Sequence, residues 1–278
     1  MAASSTPPPT TLPDGPTWPR PPRRGARRGL GRLIVGAVLL ALGAGAVVLF
    51  TQLDSARQEP DRPPRFAVPA LDVDPGSAPP QARRLTADPA LRAWAERVAG
   101  ATDIPVRTLM AYANAELVTR DRTPACNLTW VTLAGVGRVE SHHGRYGGTS
   151  VREDGTLSKP IVGVPLDGSP GVQAIPDSDR GRLDGDLEWD RAVGSMQFLP
   201  TTWSRWSIRA NNDGTPADPQ NVDDSALTAA RYLCASGGDL GTGQGWWKAV
   251  LTYNQSTKYG RDVFSGADAY ARKADELG

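Results

Sequence analysis

Glu140 is the residue in this sequence best set up to do chemistry. It lies near the end of LTWVTLAGVGRVESHHGR (128–145), a run that reads as a buried helix. Leu133, Val136 and Gly137 precede it by seven, four and three residues, so all four share one apolar helical face. A carboxylate placed there loses hydration, which disfavours its charge and raises its pKa. An acid still protonated near neutral pH is what cleavage of a glycosidic bond asks of its proton donor. The competing reading is an ion pair of Glu140 with Arg138 or Arg145, since structural pairs also perturb carboxylates. Ser141, His142, His143 and Gly144 follow at once, with Gly144 the expected helix stop. The two histidines point different ways on a helix, which argues against a zinc pair and for His143 as a terminating or packing residue.

The elements around this helix divide unevenly along the 278 residues. Fifteen of the 25 prolines lie before residue 86. Residues 1–32 form a disordered, Pro/Arg-rich tail that cannot bury enough apolar surface to order itself. Residues 33–50, LIVGAVLLALGAGAVVLF, hold no polar side chain; as a helix they span about 27 Å, near the thickness of a hydrocarbon core. Six arginines precede that run and none follows until Arg57, which predicts one transmembrane anchor with a cytoplasmic N-terminus and an extracytoplasmic remainder. A cleaved signal peptide is the alternative, with Ala44-Gly45-Ala46 as its processing site. Residues 51–85 are a Pro-rich extracytoplasmic linker, extended and semi-rigid. The folded part is 86–278; it is slightly acidic, which gives no basic footprint for nucleic acid.

Within 86–278 the pattern is mainly α (α+β). Asp88-Pro89 opens a first helix with Leu91, Trp94 and Val98 inward, and Asp103-Ile104-Pro105 opens a second. Gly147 to Gly194 is rich in Gly, Pro and Asp, with a hairpin turn at Glu153-Asp154-Gly155-Thr156; it reads as a small, partly β excursion beside a cleft. Asp177, Asp179, Asp184 and Asp186 read as a solvated acidic loop in preference to a calcium site. Pro200 opens another helix, and Asp223 or Asp224 caps the next, 225–235. Cys126 and Cys234 are the only cysteines and lie on the oxidising side of the anchor, which predicts a disulfide between them. A catalytic thiol would instead need a His and an Asn nearby.

Three segments together resemble the lytic murein transglycosylase B family: LAGVGRVESHHGR at 133–145, AVGSMQFLPTTW at 192–203 and LTYNQSTKY at 251–259. The similarity covers nearly all of 86–265 in consistent order. It implies a lysozyme-like fold and a peptidoglycan-cleaving lyase in which one glutamate serves as acid and then base, leaving 1,6-anhydro-muramic ends. Carried over by match, Glu140 is the catalytic residue. Ser141 hydrogen-bonds beside it, and Met196, Gln197 and Phe198 form a cleft wall. Tyr253 and Asn254 stand across from the glutamate, and Tyr259 is the later tyrosine of that block. Ser195 replaces the family's Pro before Met196. Asn211-Asn212-Asp213-Gly214 echoes an EF-hand-like loop, but Arg209 stands where its first carboxylate would fall and no Glu occupies the twelfth place. No cofactor is therefore expected, and calcium is the one metal left as an open alternative, with the loop's departures counting against it. The partners implied are peptidoglycan strands and, through the anchor, the bacterial cell membrane.

Two other functions fit the same residues. A muramidase would hydrolyse the same bond, but it needs a second carboxylate, and none stands out in the three segments. A non-catalytic peptidoglycan-binding scaffold has no use for a buried acid.

Overall fold

A computed structural model describes residues 88–277. The tail, anchor and linker expected at 1–32, 33–50 and 51–85 lie outside the described residues. No described helix is long and apolar enough to cross a membrane. The described chain runs through α1 (Pro89–Ala101), α2 (Val106–Arg122), α3 (Trp130–Ser141), α4 (Pro200–Trp206), α5 (Val222–Gly237), α6 (Gly243–Tyr253) and α7 (Thr257–Asp275).

Local signals account for most of these boundaries. The Asp88 carboxylate accepts from the amides of Ala90 and Leu91, and Pro89 takes the first helical position. Leu91, Trp94, Ala95 and Val98 then face the core. In α3 every residue from Trp130 to Gly137 is buried, the mark of a helix enclosed on all sides. It packs chiefly on α7 and also on α2; α2 in turn packs on α1 and α5, and α5 on α6. The disulfide joins Cys126, just before α3, to Cys234 on α5, 108 residues away.

Three expectations are corrected. α3 stops at Ser141, before Gly144: His142 adopts φ 49° and the His143 amide bonds back to the Gly137 carbonyl at 2.9 Å. α5 starts at Val222 and is capped by Asn221, whose side chain accepts from the Asp223 amide at 2.9 Å. Asp223 and Asp224 are unavailable as caps. Asp223 pairs with the buried Arg107 of α2, and Asp224 holds the backbone amides of Ala210 and Asp218 together with Arg209. The third correction concerns the partly β excursion. Among the described residues it contains isolated bridges only, such as Asp167 with Ala174 and Pro176 with Trp189, and no strand.

Aspartates supply what a sheet would have. Asp177 accepts from the amides of Asp179 and Gly181, Asp184 from Asp186 and Arg191, and Asp186 from Glu188 and Trp189. The acidic cluster is thus a turn scaffold whose side chains satisfy the backbone, and not a freely solvated loop. The expected turn at 153–156 is present, closed by Gly155 N to Arg152 O and Arg152 N to Thr156 O, each 2.9 Å.

Candidate active site

Glu140 occupies the last turn of α3 and keeps one edge toward solvent. Loss of hydration pushes its pKa from 4.5 up to about 7, against the pull of a hydrogen bond from the Tyr259 hydroxyl to Oε1 at 2.5 Å. The ion pair offered as the alternative does not form: Arg145 lies 3.7 Å from Asp103, and Arg138 runs beside Gly266 of α7.

Two tyrosines of the α6–α7 junction feel the charge of this carboxyl, and one of them, Tyr259, bonds to it. Tyr253 closes α6, and its hydroxyl donates to the Met196 carbonyl at 2.7 Å. Tyr259 lies in the first turn of α7, where its amide is taken by the Ser256 hydroxyl at 3.3 Å. Burial, with the Glu140 charge second, holds both phenols well above their ordinary pKa, so they remain protonated donors. Asn254 is exposed and acts locally: its side-chain oxygen accepts from the Ser256 amide at 3.0 Å, forming the turn that aims Tyr259.

The segment 192–203 makes a tight hairpin beneath these groups. Val193 and Phe198 exchange backbone hydrogen bonds at 2.9 and 3.0 Å. The loop between them needs Gly194, which has φ 80° and sits where a Cβ would lie 1.9 Å from the Pro219 carbonyl oxygen. The Ser195 carbonyl accepts from the Ser141 hydroxyl at 2.5 Å, and Ser141 Oγ takes the Gly144 amide at 2.8 Å. Ser141 is therefore a buried tie between the end of α3 and the hairpin.

Gln197 holds an unusual φ of 48°. Its amide nitrogen donates to the Gly194 carbonyl at 2.9 Å, and its amide oxygen lies against Gly163. Gly163 borders an open groove of about 570 Å³ walled by Val162, Leu187 and Arg191, all within the excursion itself.

Met196 and Phe198, expected in the cleft wall, are placed in the core. The space left by Gly137 admits the Met196 sulfur and the Tyr112 hydroxyl, while Phe198 packs between Trp203 and Tyr253 at 5.5 and 5.6 Å. The Phe198 ring and the Met196 carbonyl support Tyr253, and neither side chain faces solvent.

His143, expected as a terminating or packing residue, completes the support with two tyrosines. His143 is fully buried, which lowers its pKa to about 3 and keeps it neutral. The Tyr270 hydroxyl donates to Asp103 at 2.8 Å, so its oxygen takes Nε2–H of His143, also at 2.8 Å. Nδ1 is left to accept from Tyr112 at 3.3 Å. This chain pins a turn in which three successive residues, His142, His143 and Gly144, have positive φ. In the sequence Tyr112 and Tyr270 each read as one more apolar position on a helix, with nothing to mark a bond to His143.

Together these residues hold a carboxyl that is half protonated near neutral pH and can both give and take a proton, with a phenol ready to steady its charged form. Among the described residues no group of three or more His, Cys, Asp or Glu is placed to hold a metal ion. In the loop at 209–214, Asp213 is paired with Arg209.

No family model matches the sequence, and no curated protein matches it. Two solved structures of the Escherichia coli lytic transglycosylase Slt35, one in complex with bulgecin A and one in complex with calcium, match at 15% identity. They cover 65% of this chain and 78% of that one, with a TM-score of 0.34, a likeness too slight to carry an argument about fold or activity.

Proposed function

We propose that this protein is a membrane-anchored, extracytoplasmic lytic transglycosylase, with a lysozyme-like domain that cuts the bond between N-acetylmuramic acid and N-acetylglucosamine in peptidoglycan. The observation that carries the proposal is Glu140 itself: a carboxyl raised to about 7 by burial, with a tyrosine as its side-chain partner. The three sequence segments that surround it support the choice of substrate, and the apolar run at 33–50 supports the location.

In this reading Glu140 gives its proton to the bridging oxygen as the muramic C1–O bond breaks. The carboxylate so formed accepts the hydrogen bond from Tyr259. It then takes the proton from the muramic C6 hydroxyl while O6 bonds to C1. The product carries a 1,6-anhydro ring, no water is consumed, and Glu140 ends protonated as it began. Capture by the substrate's own hydroxyl removes the need for a second carboxylate to activate water. Gln197 and Tyr253 line the approach, Ser141 fixes the end of α3, and the step requires no cofactor.

The test is a digest of intact peptidoglycan by the protein and by Glu140→Gln, with products weighed by mass spectrometry. Anhydro products, lighter than hydrolytic ones by one water and absent from the variant, are expected. Hydrated products would make the protein a muramidase, and binding without turnover would make it a scaffold.

A further inference from the structure

The aromatic rings beside Glu140 continue beyond Tyr253. Tyr253 packs on Tyr232 of α5 with ring centroids 5.6 Å apart, and Tyr232 packs on Trp206 of α4 at 5.5 Å. All three rings are half-buried, so the row keeps an accessible edge. Trp206 is also a wall of a surface cavity of about 700 Å³. The cavity floor is apolar, made by Ile208, Leu227 and the Cys126–Cys234 disulfide, which clamps its two sides together.

The rim of this cavity is cationic. Arg122 and Arg231 line it. The Arg231 guanidinium lies 5.6 Å over the Trp206 ring and donates to the Trp206 carbonyl at 3.1 Å, while Arg205 covers the same ring at 5.4 Å. None of these three arginines is paired with a carboxylate among the described residues, although seven others are. The one carboxylate lining it, Asp239, accepts from the Asn127 side chain at 2.8 Å and the Gly241 amide at 2.9 Å through one oxygen and keeps its charge, so the two lining arginines leave the cavity with a net positive charge. An apolar floor under a rim in which guanidinium groups outnumber carboxylates suits a short ligand that carries carboxylates next to small apolar groups.

We propose that this cavity is a subsite for the acidic peptide stem that peptidoglycan carries on its muramic residues. The inference rests on the reading of Glu140 as a peptidoglycan-cleaving acid. Charge complementarity selects an anionic occupant, and the aromatic row leads from Trp206 in the cavity wall through Tyr232 to Tyr253. A stem attached to glycan held near Tyr253 is thereby directed along Tyr232 and Trp206. Its carboxylates meet Arg122 and Arg231, and its alanine methyls rest on Ile208, Leu227 and the disulfide.

The test compares the full-length protein with Arg122→Gln/Arg231→Gln on two substrates: stem-bearing glycan, and the same glycan after an amidase has removed the stems. Both arginines are exposed, so the melting temperature should fall only by the small amount that the Arg231 contacts with Trp206 contribute, and the fold should be kept. For two solvent-facing charge contacts, KM on stem-bearing glycan should rise about five- to tenfold, with kcat kept. Turnover of stripped glycan should be the same in both proteins. An unchanged KM on stem-bearing glycan, or an equal loss on both substrates, overturns the proposal.

Calorimetric titration of Glu140→Gln with the free tetrapeptide L-Ala-γ-D-Glu-diaminopimelyl-D-Ala separates this idea from the activity. Binding that Arg122→Gln/Arg231→Gln abolishes supports the subsite even if neither glycan is cut, a result that would count against the Glu140 reading alone. Tighter binding of a glycerol-phosphate oligomer than of the peptide would assign the cavity to a phosphate polymer and refute the stem.

Discussion

Holding Glu140 ready as an acid should destabilise the folded protein, and the size of that penalty follows from its pKa. The carboxyl titrates at about 7 in the folded chain against 4.5 for the free group. Below the unfolded value both states are protonated and the folded protein loses nothing. As pH rises, the unfolded chain gives up this proton first, and the stability that protonated Glu140 contributes is lost as pH passes through the folded value. The gap corresponds to about 3 kcal/mol by pH 8. Glu140→Gln removes the titration while its amide oxygen still accepts from Tyr259, so the variant should lose no stability by this route. Urea denaturation of both proteins between pH 4 and 8 checks the reasoning. The two should differ little near pH 4, and the variant should be the more stable by about 3 kcal/mol at pH 8. Curves that run parallel across the whole range would show that burial does not raise this pKa, and the assignment of Glu140 as the acid would fall with it.

Two further outcomes follow from the same geometry. Tyr259→Phe removes the hydrogen bond that lowers the Glu140 pKa, so the alkaline limb of the pH–rate profile should move up by about one unit; a downward move contradicts the geometry. Replacing both Cys126 and Cys234 with Ser should lower stability by up to about 5 kcal/mol, since the bond closes a loop of 108 residues. A melting temperature equal to that of the oxidised parent would show that the closure contributes nothing.

The periodicity of residues 128–145 was enough to place Glu140 on the buried side of a helix, because a 3.6-residue repeat puts Leu133, Val136, Gly137 and Glu140 on one face whatever surrounds them. The Asp88-Pro89 start of α1 and the turn at 153–156 were legible for the same reason, since caps and turns are made by neighbours in sequence. The disulfide was legible by elimination. The ends of α3 and α5 were misread because distant groups decide them. His143 is drawn inward by Tyr112 and Tyr270, and Asp223 is held by Arg107, 116 residues away. Met196 and Phe198 carry motif letters that suit a cleft wall, yet the hairpin turns both side chains into the core. The sequence by itself determined that Glu140 lies on the inward face of its helix. Only the tertiary structure decided that Tyr259 is its partner, that neither nearby arginine is, and that Tyr253 leads on to Trp206. Those contacts join residues far apart in the chain, and no local pattern encodes which of many tyrosines and arginines packing will bring together.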